Sequence, residues 1–189
     1  MNFGEATKSV FSKYATFSGR ARRSEYWFFY LFNVLVRMGL GVVSMIFVFC
    51  YTLFEMAATP DFVFPSFYWL FYGVIYGVVG LWALAVFLPF LAVTVRRFHD
   101  IGKSGWWLLV MMLPGFVYLC YVACVVYNAA VHDSEPDMKS FLIVTGLGIL
   151  VCIGLVVWQI VWLVRDSEPG ENQYGPNPKG ISSNVSDNA

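Results

Sequence analysis

Four long apolar runs, separated by short polar segments, set the pattern of the chain; they cover about residues 26–54, 67–95, 106–131 and 141–164. Each reaches the roughly 20 residues that a helix rising about 1.5 Å per residue needs to cross a hydrocarbon layer about 30 Å thick. None shows the in/out alternation of a membrane-barrel strand. The pattern predicts an all-α fold, a four-helix transmembrane bundle occupying residues 20–165. Ahead of it, residues 1–19 read as an amphipathic interfacial segment. Phe3, Val10, Phe11, Tyr14 and Phe17 fall on one helical face and Glu5, Lys8 and Ser12 on the other, with Ser18-Gly19 as the break. Residues 166–189 turn to Gly, Pro, Asn and Ser and read as a flexible C-terminal tail, its end from Ile181 disordered.

Composition supports the membrane reading. Of 189 residues, 59% are hydrophobic and only 13% charged, with a mean hydropathy of +0.65, against roughly 45–50% apolar and 25% charged in soluble domains. Twelve basic residues balance twelve acidic ones, which excludes the broadly basic surface of a nucleic-acid binder. The basic residues are placed unevenly. The N-terminal segment carries Lys8, Lys13, Arg20, Arg22 and Arg23, and the segment after the second run carries Arg96, Arg97 and Lys103. The tail has Arg165 and Lys179, whereas Glu55–Ser66 has none and His132–Ser140 only Lys139. The positive-inside rule then predicts a multi-pass membrane protein with both termini cytoplasmic. The first 25 residues lack the apolar core and cleavage pattern of a removable signal peptide, so the first span is expected to act as an uncleaved signal.

Polar residues inside the spans are few. Tyr26, Tyr30, Asn33, Arg37 and Ser44 recur at helical spacings, predicting a polar stripe, with Gln159 of the fourth run as a partner. Arg37 either snorkels to fix helix depth or faces a ligand or conduction path. Gly73, Gly77 and Gly80 form a small-residue ridge suited to close helix approach. Pro89 and Pro114 are expected to kink their helices, with neighbours satisfying the freed carbonyls. Trp27, Tyr68, Trp69, Trp106, Trp107 and Trp162 read as an interfacial belt. Cys50, Cys120, Cys124 and Cys152 lie in apolar runs without a C-x-x-C pair and behave as small hydrophobes.

No complete catalytic set emerges. Gly102-Lys103-Ser104 matches the end of a phosphate-binding loop, but Arg97 stands where the first glycine belongs. His99 and His132 are predicted on opposite membrane faces, which excludes a shared metal site, and no cofactor is implied. What converges on the cytoplasmic face is a polar set: Arg20, Arg22, Arg23 and Glu25; Arg96, Arg97, His99, Asp100, Lys103 and Ser104; and Asn172 with Tyr174. These residues could fork a phosphate or anionic headgroups, with His99 and Asp100 completing the site.

Three motifs within this set, Phe17–Trp27, Arg96–Trp107 and Gly170–Pro178, closely resemble the marks of the bacterial domain-of-unknown-function 805 family and frame about residues 3–180. The resemblance implies a small multi-pass inner-membrane protein and no established activity, substrate or cofactor. The outer loops and flanking spans are longer than expected for a minimal member. A folded cap explains the motif residues: the Asn-x-Tyr-Gly-Pro turn packs on the segment after the second span, with Asp100 and Glu25 neutralising arginines. The first functional reading is a non-enzymatic module whose basic face meets anionic phospholipid headgroups, a phosphorylated ligand, a protein partner or a second copy. The alternatives are an enzyme acting on a membrane-borne phosphate or lipid with His99 as general base, and an oligomeric transporter or channel subunit lined by Asn33, Arg37 and Gln159.

Overall fold

The four apolar runs become the four long helices of an all-α protein, preceded by one short helix. The computed structural model describes residues 1–58, 66–132 and 138–180. Helix α1 is Phe3–Ser12, α2 Arg23–Ala58, α3 Ser66–Asp100, α4 Trp106–His132 and α5 Met138–Val164. Stretches of α2, α3, α4 and α5 are each long and apolar enough to cross a membrane. The expected outer loops lie largely outside the described residues, as do the tail end from Ile181 and the side chains of Tyr68, Trp69 and His132. Two units are distinguished, one of Met1–Thr16 with Ser24–Val93 and one of Phe17–Arg23 with the chain from Thr94 onward.

In the first unit, α1 starts on a reciprocal cap. Asn2 Oδ1 accepts from the Glu5 amide at 2.8 Å and the Glu5 carboxylate accepts from the Asn2 amide at 3.0 Å, which satisfies two of the otherwise orphaned first-turn donors. Ala6 and Val10 are buried. The apolar face meets an aromatic ladder on α2: Phe3 lies edge-on to Phe28 and Phe32, and Phe11 edge-on to Phe29 at 5.4 Å. The amphipathic segment thus lays its apolar stripe against α2, with Val10 buried and Phe3 and Tyr14 still exposed. The helix ends at Ser12, five residues before Phe17, so Phe17 does not share that face. Gly19, at φ 85°, supplies the break before α2.

Pro89 lies buried within α3. Having no N–H, it leaves the Ala85 carbonyl without its helical donor, and Tyr14 Oη donates to that oxygen at 2.6 Å. The glycine ridge behaves differently from expectation. A Cβ at Gly73, Gly77 or Gly80 would meet nothing within 4 Å, so no described segment of the chain uses the ridge for close packing.

In the second unit α4 and α5 pack together. The close approach occurs at Gly148 of α5, where a Cβ would stand 2.8 Å from the Tyr118 ring of α4. Trp107, Trp158 and Trp162 form an edge-to-face cluster with centroids 5.2–5.8 Å apart, and Phe98 joins Trp162 at 5.8 Å. Trp162 is therefore buried, not part of an exposed belt, because three aromatic rings surround it; Trp106 is 74% exposed. The cysteines are free, with Cys50, Cys120 and Cys124 exposed and Cys152 half-buried.

Candidate functional site

The polar convergence is a folded cap lying within the second unit. Its parts are residues 17–23, the end of α3 with the turn after it, and the tail as far as Gly180. The need for such a cap follows from helix ends, whose last carbonyls have no intrahelical donor and carry the negative end of the helix dipole.

At the end of α3 those carbonyls find donors from distant sequence. The Arg96 carbonyl accepts from the Ala21 amide at 3.1 Å, His99 from Asn172 Nδ2 at 3.0 Å and Asp100 from the Glu168 amide at 2.9 Å. Gly102, at φ 70°, makes the turn, and a side chain there would strike the Glu168 carboxylate. At the end of α5 the donors are guanidinium groups. Arg97 Nε donates to the Leu163 carbonyl at 3.1 Å and Arg97 Nη2 to that of Arg165, while Arg23 Nη1 donates to Val164 at 3.2 Å.

Asp100 joins these parts and is fully buried. Its Oδ1 accepts from Arg20 Nε at 2.9 Å; its Oδ2 accepts from Arg97 Nη1 at 2.5 Å and from Ser167 Oγ at 2.6 Å. Arg20 reaches beyond the carboxylate to the tail backbone, donating to the Glu168 carbonyl at 2.7 Å and to that of Gly170 at 2.9 Å. One carboxylate thus pairs with two buried cations, and the excess positive charge is met by carbonyl oxygens on their remaining donors. Such a cluster is expensive to break because a lone buried charge would remain.

The tail turn closes the cap from above. Asn172 and Gly175 bond to each other in both directions, and Asn172 Oδ1 accepts from the Tyr174 amide at 3.0 Å. The turn presents the Tyr174 ring flat on His99, with centroids 3.8 Å apart and planes 3° apart. On its edge, His99 Nδ1 lies 3.2 Å from the Gly19 carbonyl. At the outer margin Arg22 Nε donates to Pro178 at 2.5 Å, while Asp166 binds Arg23 and Lys179. Hydrogen bonds from Lys179 and from the Ser167 amide hold the Asp166 carboxyl below its ordinary range.

Most of the residues singled out in the sequence therefore meet. Arg20, Arg22, Arg23, Arg97, His99, Asp100, Asn172 and Tyr174 make the contacts described, and Arg96 is buried among them. Lys103 and Ser104 sit at the rim. Lys103 Nζ lies 5.7 Å from the Trp162 ring centroid, and Ser104 Oγ accepts from the Trp106 amide at 3.4 Å, helping to start α4. Glu25 belongs to the other unit, where it accepts from Ser9 Oγ at 3.1 Å. Ser167 and Glu168 are members that the sequence reading missed. Ser167 carried no motif signal, and Glu168 contributes largely through its backbone.

The intramembrane polar residues of α2 share a helical face but not one environment. Asn33 is buried and donates to the Phe29 carbonyl of its own helix at 2.9 Å, whereas Tyr30 is exposed. Arg37 and Ser44 line a groove of the first unit; Gln159 lines one in the second, with Cys152 and Phe116.

Four apolar helices and a clasped polar cap define a multi-pass membrane protein. Residues 14–176 match the family described as "Protein of unknown function (DUF805)", and the chain belongs to that family. It is 27% identical over 170 residues to the inner membrane protein YhaH of Escherichia coli K12, covering 90% of this chain and 93% of that one. It is 34% identical over 118 residues to the inner membrane protein YhaI of the same strain, covering 61% of this chain and 80% of that one. No solved structure matches. With four candidate spans and these relatives, the chain is a multi-pass inner-membrane protein.

Proposed function

We propose that the chain is a non-enzymatic membrane module whose cap faces the cytoplasm and rests on anionic phospholipid headgroups. The observation that carries this reading is the occupation of Arg20 and Arg97 by Asp100 and by backbone carbonyls. These two arginines build the cap and leave no fork for a phosphate. The charge available to a headgroup comes instead from Lys103 and the exposed Arg165, and an exposed indole from Trp106 at the start of α4. Basic and indole side chains at a span end suit the headgroup zone, and each such cation near an anionic surface contributes about 1 kcal/mol. The enzyme reading is weakened at its base. Tyr174 covers a His99 ring face, and the Asp100 carboxylate that would assist it is held by Arg20, Arg97 and Ser167.

Two measurements test the proposal. Lys179→Cys, in a chain whose native cysteines are replaced by alanine, is expected to react with a membrane-impermeant maleimide in inverted vesicles and not in spheroplasts; the reverse overturns the orientation. In nanodiscs, spin-labelled phosphatidylglycerol is expected to be enriched around the protein over phosphatidylcholine, and Lys103→Gln with Arg165→Gln to reduce that enrichment. Equal enrichment in both forms overturns the headgroup role.

A further inference from the structure

A second site lies in the first unit. Helices α2 and α3 line an open groove of about 630 Å³ whose walls include Arg37, Gly41, Met45, Phe49, Ile75 and Tyr76. Two of its hydroxyls are engaged locally, Ser44 Oγ with the Gly41 carbonyl and Thr52 Oγ1 with the Val48 carbonyl, each at 2.8 Å. Arg37 is exposed along the groove and has no hydrogen-bond or ion-pair partner among the described residues. It belongs to the candidate span Arg23–Phe54. Those 32 residues extend about 48 Å as a helix, well beyond a hydrocarbon layer of about 30 Å. If the far end of the span sits at Phe54, Arg37 lies about one turn inside the opposite boundary, close enough to reach a phosphate there.

An unpaired cation on an apolar wall selects the occupant. It must carry an anion at the Arg37 end and hydrocarbon along the rest. From Arg37 to Phe49 the helix rises about 18 Å, a length suited to an acyl chain. Gly41 keeps the floor open, since a Cβ there would meet nothing within 4 Å. We propose that this groove binds one anionic phospholipid per chain, its phosphate on the Arg37 guanidinium and one acyl chain along Gly41, Met45, Phe49 and Ile75. Arginine's planar fork suits phosphate oxygens.

The test is native mass spectrometry of the full chain released from nanodiscs containing equal phosphatidylglycerol and phosphatidylcholine. The expected result is one retained phosphatidylglycerol per chain, reduced at least about tenfold by Arg37→Gln and less by Arg37→Lys, which keeps the charge without the fork. Gly41→Leu, which fills the groove and leaves the charge, is expected to lose the lipid as well. Should Arg37→Gln fail to fold, Gly41→Leu carries the test, with protease resistance of the tail as the check on folding. Unchanged retention in Gly41→Leu, equal retention of both lipids, or a lipid-free dimer covering Arg37 overturns the proposal. Retention that survives Lys103→Gln with Arg165→Gln separates this site from the headgroup contacts of the cap.

Discussion

Tyr14 Oη donates a 2.6 Å hydrogen bond to the carbonyl of Ala85, the oxygen left without a helical donor by Pro89. A residue just beyond the first helix thereby repairs a defect in a membrane-spanning one. Tyr14→Phe is expected to lower stability by about 1 kcal/mol, read by denaturant unfolding in detergent. The loss should shrink in a Pro89→Ala background, where the helix regains its own donor; an equal loss in both backgrounds would separate Tyr14 from the proline.

Asp100→Asn leaves Arg20 and Arg97 buried without their shared counter-charge. Removing one partner of a buried ion pair costs about 3–5 kcal/mol. The tail from Asp166 is expected to become cleavable by added protease at concentrations that spare the parent chain. Ser167→Ala removes one hydrogen bond to the same carboxylate and should cost about 1 kcal/mol.

The His99–Tyr174 stack depends on the ring, not the hydroxyl. Tyr174→Ala is expected to cost about 0.5–1.5 kcal/mol and to speed amide exchange across residues 170–178. Tyr174→Phe is expected to leave exchange unchanged. A large effect of Tyr174→Phe would give the hydroxyl a role that the cap geometry does not.

Acid should loosen the outer margin of the cap first. Asp166 has a carboxyl pKa held below its ordinary 3.8, by hydrogen bonds from Lys179 and the Ser167 amide foremost. A lowered folded-state pKa contributes stability that is fully present above the unfolded value and is lost as pH falls through the folded one. The protection of amides near Lys179, taken relative to their intrinsic exchange rate at each pH, is therefore expected to stay flat between about pH 5 and 8 and to fall below about 4. Asp166→Asn should abolish the acid-dependent step.

The helices were legible because hydropathy over some 20 residues is a strong, redundant signal; Arg23–Ala58 and Met138–Val164 follow directly from it. The gathering of Arg20, Arg97, Asp100 and Tyr174 was also foreshadowed, since span parity and the motifs placed them on one face. What the sequence could not reveal was which atoms receive the charge. The Leu163, Arg165, Glu168 and Gly170 carbonyls that hold the guanidiniums belong to backbone, which every residue carries alike. The same reason hid Tyr14, whose partner is a main-chain oxygen. The glycine ridge of α3 misled for the opposite reason: small size permits close approach without supplying a neighbour.

The contact of Arg20 with Asp100 and of both with Glu168 imposes a rule on how the chain can be threaded. Arg20 precedes α2, Asp100 ends α3 and Glu168 follows α5. These groups can touch only if an even number of crossings separates each pair. A chain that skipped one crossing during insertion would leave Arg20 or the tail on the far side of the membrane from the Arg97–Asp100 pair, or in lipid. The clasp is thus a built-in parity check, closing on a correctly threaded chain and remaining open, and exposed to proteases, on one that is not.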